Sequence, residues 1–293
     1  MARYTVLALL LFTSVAFPQV TFTFTSFDPP GSVATTAYAV NNAGNVVGYY
    51  LDAASGLSAG FERTAKGVFS KPIRARGANM YTTGLNDAGV ISGYYFNRSF
   101  AETTFTIYQG QLTDFDYDGY QTQVNSVNDN GDLTGFYIPS PLFFNGFLYV
   151  KATDTTVTFE VTGARSTQGQ GVNRNDIVVG VYSDMTAPFS VFQGFLRDAN
   201  GDITTFMFPG AYQTYALQIN DCNVIAGTFL EASGIQHGYY GGLNHFTQLD
   251  YPGATSTGIS GINNHGELTG SYADAAGNSH GFVAIPSSPS CML

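Results

Sequence analysis

One motif recurs six times in this chain of 293 residues, and its spacing limits what the chain can fold into. An apolar residue and an Asn open each copy, at Val40-Asn41, Leu85-Asn86, Val127-Asn128, Val172-Asn173, Ile219-Asn220 and Ile262-Asn263. The Asn residues stand 45, 42, 45, 47 and 43 positions apart. A self-similar period of that length marks a solenoid, a propeller or a linear array. Three residues after each Asn comes Gly44, Gly89, Gly131, Asp176, Asn223 or Gly266. These residue types tolerate a positive φ, so the position varies only within the left-handed set. The Asn side chain can bond its own backbone two residues on. A four-residue turn with a left-handed last residue is a common hairpin connection.

The second part of the motif reads as a strand. Five, seven and nine residues after the Asn come a branched apolar residue, a Gly and an aromatic, as in Val46, Gly48 and Tyr50. Steps of two place all three on one face of a strand. A Gly inside a strand weakens it unless something packs close against it. The aromatics Tyr50, Tyr95, Tyr137, Tyr182, Phe229 and Tyr272 offer bulk to a neighbouring sheet. A third element follows, centred on Phe61, Phe105, Phe147, Phe195, Tyr239 or Phe282. A fourth appears in copies one to five, as in Ile203-Thr204-Thr205-Phe206. Four short strands per unit make one propeller blade.

Copy six stops at Pro286, before any fourth strand. The missing strand stands at the other end of the chain. Phe24-Thr25-Ser26-Phe27-Asp28-Pro29-Pro30-Gly31 matches Phe246-Thr247-Gln248-Leu249-Asp250-Tyr251-Pro252-Gly253. The segment around Thr21 to Asp28 is therefore expected to pair with the one around Ser279 to Ile285, which removes an open sheet edge. A solenoid would need capping units instead of one strand moved between the ends. The expectation is an all-β, six-bladed β-propeller of four-stranded antiparallel blades over residues 17–286, closed by the N-terminal strand, with 287–293 as a tail. Abundant Gly, Tyr and Phe, and no Trp, suit such a turn-rich chain.

The first 16 residues read differently. Arg3 is followed by an unbroken apolar run from Val6 to Phe12 and by the small residues Ser14-Val15-Ala16. This pattern is that of a secretory signal peptide cut after Ala16, and it is too short to span a membrane. The mature chain is then secreted. Its formal charge is −10 with no basic cluster, which argues against a nucleic-acid partner. The two cysteines, Cys222 and Cys291, are candidates for a disulfide tying the tail to unit five.

The units read as Ile-Asn-Asn-x-Gly-x-Leu-x-Gly-x-Tyr, then His-Gly-Phe, then Phe-Thr-x-x-Asp-Tyr-Pro-Gly-Ala. In this the chain resembles the HAF-repeat family of probable extracellular bacterial proteins, named for a tripeptide like His-Ala-Phe. Here that tripeptide is His237-Gly238-Tyr239 and His280-Gly281-Phe282, while the other copies carry Ala59, Thr103, Asn145 and Gln193 at the His position. The resemblance covers nearly the whole mature chain and implies export and repeats. It implies no defined chemistry.

Little in the sequence points to catalysis. The four His, at 237, 245, 265 and 280, show no close ligand spacing. His237 and His280 share one repeat position, which suits a hydrogen bonder that the architecture needs. No nucleophile elbow stands beside a His and an acid. The segments leading into each motif Asn, expected to line the axis, contain no Asp or Glu, so no channel metal and no cofactor are expected. One acidic pattern remains, two residues after each motif aromatic: Asp52, Asn97, Pro139, Asp184, Glu231 and Asp274. Such residues start turns. Asp52, Asn97, Asp184, Glu231 and Asp274 are also the candidate binding residues, as an open ring with Tyr49, Tyr94 and Phe96 nearby for stacking. Two function classes fit. One is a non-catalytic exported module for binding or surface structure, with carbohydrate or another extracellular protein as partner. The alternative is an extracellular hydrolase or lyase acting on a polysaccharide. The lack of recurrent acid–base pairs favours the first.

Overall fold

The computed structural model describes residues 20–75, 78–96, 102–186, 191–243, 245–288 and 291. The expected signal peptide, residues 1–16, lies outside the described residues. Strand β1 (Phe22–Phe27) comes first. Unit one supplies β2 (Ser32–Val40), β3 (Val46–Asp52) and β4 (Ser58–Arg63). Unit two supplies β5 (Asn79–Leu85), β6 (Ile91–Phe96), β7 (Glu102–Tyr108) and β8 (Gln111–Phe115). Unit three supplies β9 (Gln121–Val127), β10 (Leu133–Ser140), β11 (Phe143–Val150) and β12 (Thr155–Phe159). Unit four supplies β13 (Ala164–Val172), β14 (Val178–Asp184), β15 (Gln193–Arg197) and β16 (Ile203–Phe206). Unit five supplies β17 (Gln213–Ile219), β18 (Ile225–Leu230), β19 (Gln236–Gly242) and β20 (His245–Leu249). Unit six supplies β21 (Ser256–Ile262), β22 (Leu268–Ala273) and β23 (Ser279–Pro286).

Within every unit the strands pair antiparallel with their chain neighbours, and a single parallel bridge between Phe144 and Ser166 joins units three and four. The last unit takes its outer strand from the N-terminal end, where β1 pairs antiparallel with β23 from Phe22 opposite Pro286 to Phe27 opposite Gly281. Unit one differs from expectation. Its fourth strand is reduced to two isolated bridges, Arg63 to Phe69 and Gly60 to Ile73. Pro72 lies between them and has no N–H for a ladder. The innermost strands β2, β5, β9, β13, β17 and β21 contact one another in that order, and β21 contacts β2. They surround a common axis.

The motif turns follow from local chemistry. All six residues at the varying position have a positive φ, from 60° at Asp176 to 87° at Gly131. In each turn the Asn N–H donates to the carbonyl four residues on, and the left-handed residue donates back to the Asn carbonyl. The strand Gly has a separate role. Opposite Gly48, Gly93, Gly135, Gly180, Gly227 and Gly270 the inner strand carries a bulge. A Cβ at any of these glycines would lie 1.8–2.1 Å from a carbonyl oxygen of that strand. Only Gly permits the approach, and the bulge bends the inner strand locally. The core lies between sheets. Phe61, Phe105, Phe147, Phe195, Tyr239 and Phe282 are all fully buried there. Each stabilises the fold by about 1.5–3 kcal/mol through the apolar area removed from water.

Candidate functional site

The two ends of the axis differ in chemistry. At one end stand the six motif turns. Each Asn accepts hydrogen bonds through Oδ1 from N–H groups of its own turn, as Asn220 does from Cys222 and Val224 at 3.0 Å each. Each Asn then donates through Nδ2 to the backbone carbonyl of the next motif Asn. The chain of bonds runs from Asn41 to Asn86, Asn128, Asn173, Asn220 and Asn263, and Asn263 donates to Asn41, with distances of 2.9–3.2 Å. An Asn suits the place because its acceptor and its donor are separate atoms, so Oδ1 can serve its own turn while Nδ2 reaches the neighbour.

A second ring lies beside the first, made by the residues that follow each Asn. The N–H groups of Asn42, Asp87, Arg174, Asp221 and Asn264 donate to side-chain oxygens of Asp87, Asp129, Asp221, Asn264 and Asn42 at 2.7–2.9 Å. The ring breaks where Asp129 faces Arg174, because a guanidinium has no acceptor. Arg174 instead grips Asp221 at 2.7 Å. Burial pushes the Asp129 carboxyl up and outweighs the bond from the Asp87 N–H, which lowers it, while the charges of Asp87 and Asp221 add to the rise. Burial also pushes on Asp221, but bonds from the Arg174 backbone and guanidinium and from Asn264 outweigh it and hold the carboxyl low. The cavity at this end measures about 60 Å³. Its polar groups are engaged with one another, which marks it as a clasp of the architecture.

Gln218 separates this clasp from the rest of the axis. Two positions before each motif Asn stand Ala39, Gly84, Ser126, Gly171, Gln218 and Gly261, and Gln218 is the one long side chain. It reaches from unit five to unit three, where its Nε2 donates to Ser126 Oγ at 3.3 Å. A Cβ at Gly171 would lie 2.5 Å from Gln218 Oε1. The axis is therefore plugged near the Asn rings, and what remains is a funnel facing the other end.

The funnel wall comes from inner-strand residues five and three before each Asn. They are Thr36 and Tyr38, Tyr81 and Thr83, Gln123 and Asn125, Gln168 and Gln170, Tyr215 and Leu217, Gly258 and Ser260. None is charged. On one side Tyr49, Tyr81, Tyr94 and Phe96 form an aromatic wall, with ring centroids 4.8 Å (Tyr49 to Tyr81), 5.0 Å (Tyr81 to Tyr94) and 5.8 Å (Tyr94 to Phe96) apart. Burial pushes the Tyr94 and Tyr38 phenols well above their ordinary range, so both stay neutral. Units three and four contribute amides, with Gln123 donating to Asn125 at 2.8 Å and Gln168 to Ser166 at 3.0 Å. At units five and six the wall opens into a cavity of about 300 Å³ lined by Thr36, Tyr215, Leu217, Thr228, Leu230, Gln236, Gly258, Ser260 and Ser271.

The acidic positions lie at the funnel end, each at the start of the loop after a unit's second strand. Asp52 accepts from Ser55 and pairs with Arg74 at 3.0 Å. Asp184 accepts from the N–H and hydroxyl of Thr186 at 2.7 Å each. Glu231 accepts from Ser233. Asp274 accepts from the N–H groups of Ala276 and Asn278 at 2.8 Å each. Bonds from Ser55, Thr186 and Asn278 respectively hold the carboxyls of Asp52, Asp184 and Asp274 low. Asn97 lies outside the described residues. Among the described residues no hydrogen bond joins one of these carboxylates to another; each organises its own loop.

The two repeat histidines are tied to this pattern. His237 Nδ1 lies 2.9 Å from Asp250 and its Nε2 lies 3.4 Å from Glu231. His280 Nδ1 lies 2.7 Å from Asp28 and its Nε2 lies 3.4 Å from Asp274. Asp28 and Asp250 were not among the residues singled out in the sequence, although the matched Asp-Pro-Pro-Gly and Asp-Tyr-Pro-Gly segments carried them. Cys222 and Cys291 are joined, with Cα atoms 5.4 Å apart, which pins the tail to the motif turn of unit five. Among the described residues no cluster of His, Cys, Asp and Glu is arranged to hold a metal ion.

Solved structures with this arrangement decide the architecture. TolB from Acinetobacter baumannii superposes with a TM-score of 0.56 at 12% identity over 89% of this chain and 66% of its own, so this chain spans about two thirds of TolB's length. The fold is a β-propeller. The Aleuria aurantia lectin, as a mutant in complex with α-methyl-L-fucoside, superposes at 0.53 with 8% identity over 88% of this chain and 94% of the lectin. The β-propeller domain of the Trilobed protease from Pyrococcus furiosus also superposes at 0.53, with 10% identity over 85% of this chain and 81% of that domain. Identities this low speak for the fold alone. No family model and no curated protein matches the sequence.

Proposed function

We propose that the chain is an exported, six-bladed propeller of the HAF-repeat type that binds neutral carbohydrate in the funnel, without catalysing a reaction on it. One observation carries the reading: the twelve inner-strand positions of the funnel wall and the lining of its cavity include no charged side chain and combine tyrosine rings with amides and hydroxyls. Sugars present flat apolar faces and hydroxyl edges, and that combination of wall groups complements both. The fucoside bound in the Aleuria aurantia lectin complex is of this chemical class. Six blades are supported by the six Asn contacts, the last of which returns to Asn41. Among the described residues, twenty-three strands leave the set one short of six fours, and the shortfall is in unit one. Asp52, Asp184, Glu231 and Asp274 belong to the rim in this reading, where they shape the loops around the mouth.

The test is a glycan array probed with protein starting at Phe17, with and without calcium, beside a Tyr81→Ala, Tyr215→Ala double variant that removes a ring from each side of the funnel. Retention of neutral glycans by the parent and loss by the variant are expected. Equal retention by both, or release of shortened glycans during incubation, would refute a non-catalytic funnel site. Export is checked separately: secreted material should begin Phe17-Pro18-Gln19, and an intact Met1 in the medium would count against cleavage after Ala16.

A further inference from the structure

The six repeats are alike where they build the architecture and unlike at two wall positions. Eight residues after the motif Asn stand Tyr49, Tyr94, Phe136, Val181, Thr228 and Ser271. Five residues before it stand Thr36, Tyr81, Gln123, Gln168, Tyr215 and Gly258. In units one and two the first position is a tyrosine, and its ring helps to form the aromatic wall. In units five and six it is a small hydroxyl residue, and the inner strand of unit six carries Gly258 instead of a bulky side chain. The cavity of about 300 Å³ lies where these two reductions meet. Repeats that needed only to pack would keep the space filled, as the interiors of proteins are close-packed.

The lining of this cavity is built for a ligand of mixed character. Gln236 lies over Gly258: a Cβ there would sit 2.4 Å from Gln236 Nε2 and 3.3 Å from Thr228 Oγ1. The side chains of Gln236, Ser260 and Ser271 make no hydrogen bond among the described residues, although all three line the cavity. Ser260 is buried while Gln236 and Ser271 are half-buried at the cavity, which leaves their polar atoms available to a ligand's hydroxyls. Tyr215 is held by its hydroxyl, which donates to Gln213 at 2.7 Å, so its ring is fixed at the cavity. Leu217 and Leu230 supply apolar surface, and no charged side chain lines the space. Its volume is at the small end of ligand pockets, room for a single sugar ring.

We infer that this cavity between units five and six is the one saccharide subsite of the chain. It takes one neutral hexose, deoxyhexose or N-acetylhexosamine residue, with Tyr215 against the ring face and Gln236, Ser260 and Ser271 bonding its hydroxyls. The inference rests on the carbohydrate reading above and adds its location and its valency of one. The other units do not repeat the site, because their wall positions are filled.

Isothermal titration with the methyl glycosides of glucose, galactose, mannose, fucose and N-acetylglucosamine tests it. One site per chain is expected for any glycoside that binds. Ser271→Tyr places in unit six the residue that units one and two already carry, so the fold tolerates it while the cavity is filled; binding is expected to disappear. Gln236→Ala should weaken binding by about tenfold, the worth of one or two hydrogen bonds. Several equal sites per chain, or full affinity in Ser271→Tyr with an unchanged melting curve, would overturn the single subsite while leaving carbohydrate binding in place. Should none of the five glycosides bind, and the array stay blank, the subsite and the carbohydrate reading fall together.

Discussion

At the scale of single residues, the motif Asn does two jobs with one side chain. Its carbonyl oxygen closes the turn and its amide nitrogen holds the next unit. Asn220→Asp would keep the first and lose the second. The carbonyl of Asn263 would lose its donor, and a carboxylate would be placed among buried groups. A loss of about 1–3 kcal/mol is expected from the unsatisfied carbonyl alone. An unchanged midpoint in urea would show that the ring of bonds contributes nothing. His280 gives a second residue-scale expectation. Its bond to Asp28 raises its pKa above the ordinary 6.5, against a smaller effect of burial. Stability from a raised group is fully present below the unfolded pKa and fades as pH rises through the folded one. The penalty of His280→Ala should therefore be larger at pH 6 than at pH 9. Equal penalties at the two pH values would remove the charged latch between Asp28 and unit six.

At the scale of elements, β1 is the piece on which the ring depends. It does more than extend one sheet. Phe22 packs on Tyr240 of unit five, Phe24 on Tyr251 and on Phe282 of unit six, and Phe27 on Phe61 of unit one. One short strand thus touches three units, with each of its rings worth about 1.5–3 kcal/mol of burial at most. Deleting residues 20–28 would strip these contacts and leave β23 as an open edge that invites pairing with other chains. Aggregated protein without a cooperative melting transition is the expected result. A soluble truncation that still melts sharply would mean that the ring closes by other means. The bulges are the second lesson at this scale. Each inner strand bends opposite a Gly, so the glycines at period two are there for close backbone approach and not for turns.

For the whole molecule, closure is what the scattered devices share. One closed ring of hydrogen bonds and a second, broken one lock one end of the axis, β1 joins the last unit to the first, and the Cys222–Cys291 bond fastens the tail to unit five. A cross-link spanning 69 residues restricts the unfolded chain more than the folded one. Cys291→Ser should cost about 2–4 kcal/mol in a denaturant titration. If parent and variant share a midpoint under oxidising conditions, the staple is inert. The funnel is a product of the same closure, since its wall exists only where six inner strands surround one axis.

Much of this architecture was legible without coordinates, and the reason is that it is local. A positive φ at Asp176 or Asn223, alternation along Val46, Gly48 and Tyr50, and the likeness of Phe24–Gly31 to Phe246–Gly253 all depend on a few neighbouring residues or on direct comparison of two segments. The reduced outer strand of unit one was missed because Val68-Phe69-Ser70 stands where its counterparts start a strand, and only the ladder reveals what Pro72 costs it. The candidate site was less legible. The acidic positions stood out because they repeat, yet repetition marks what every unit needs, and they start loops. The cavity arises from residues that fail to repeat, Thr228, Gly258 and Ser271, on different strands. The path of Gln218 to Ser126, the partner of each Asn amide and the meeting of three small residues at one wall are relations between units. The sequence by itself determined the units and how each one turns. Tertiary structure alone decided which side chains face one another across the axis, because that depends on distances the chain order does not encode.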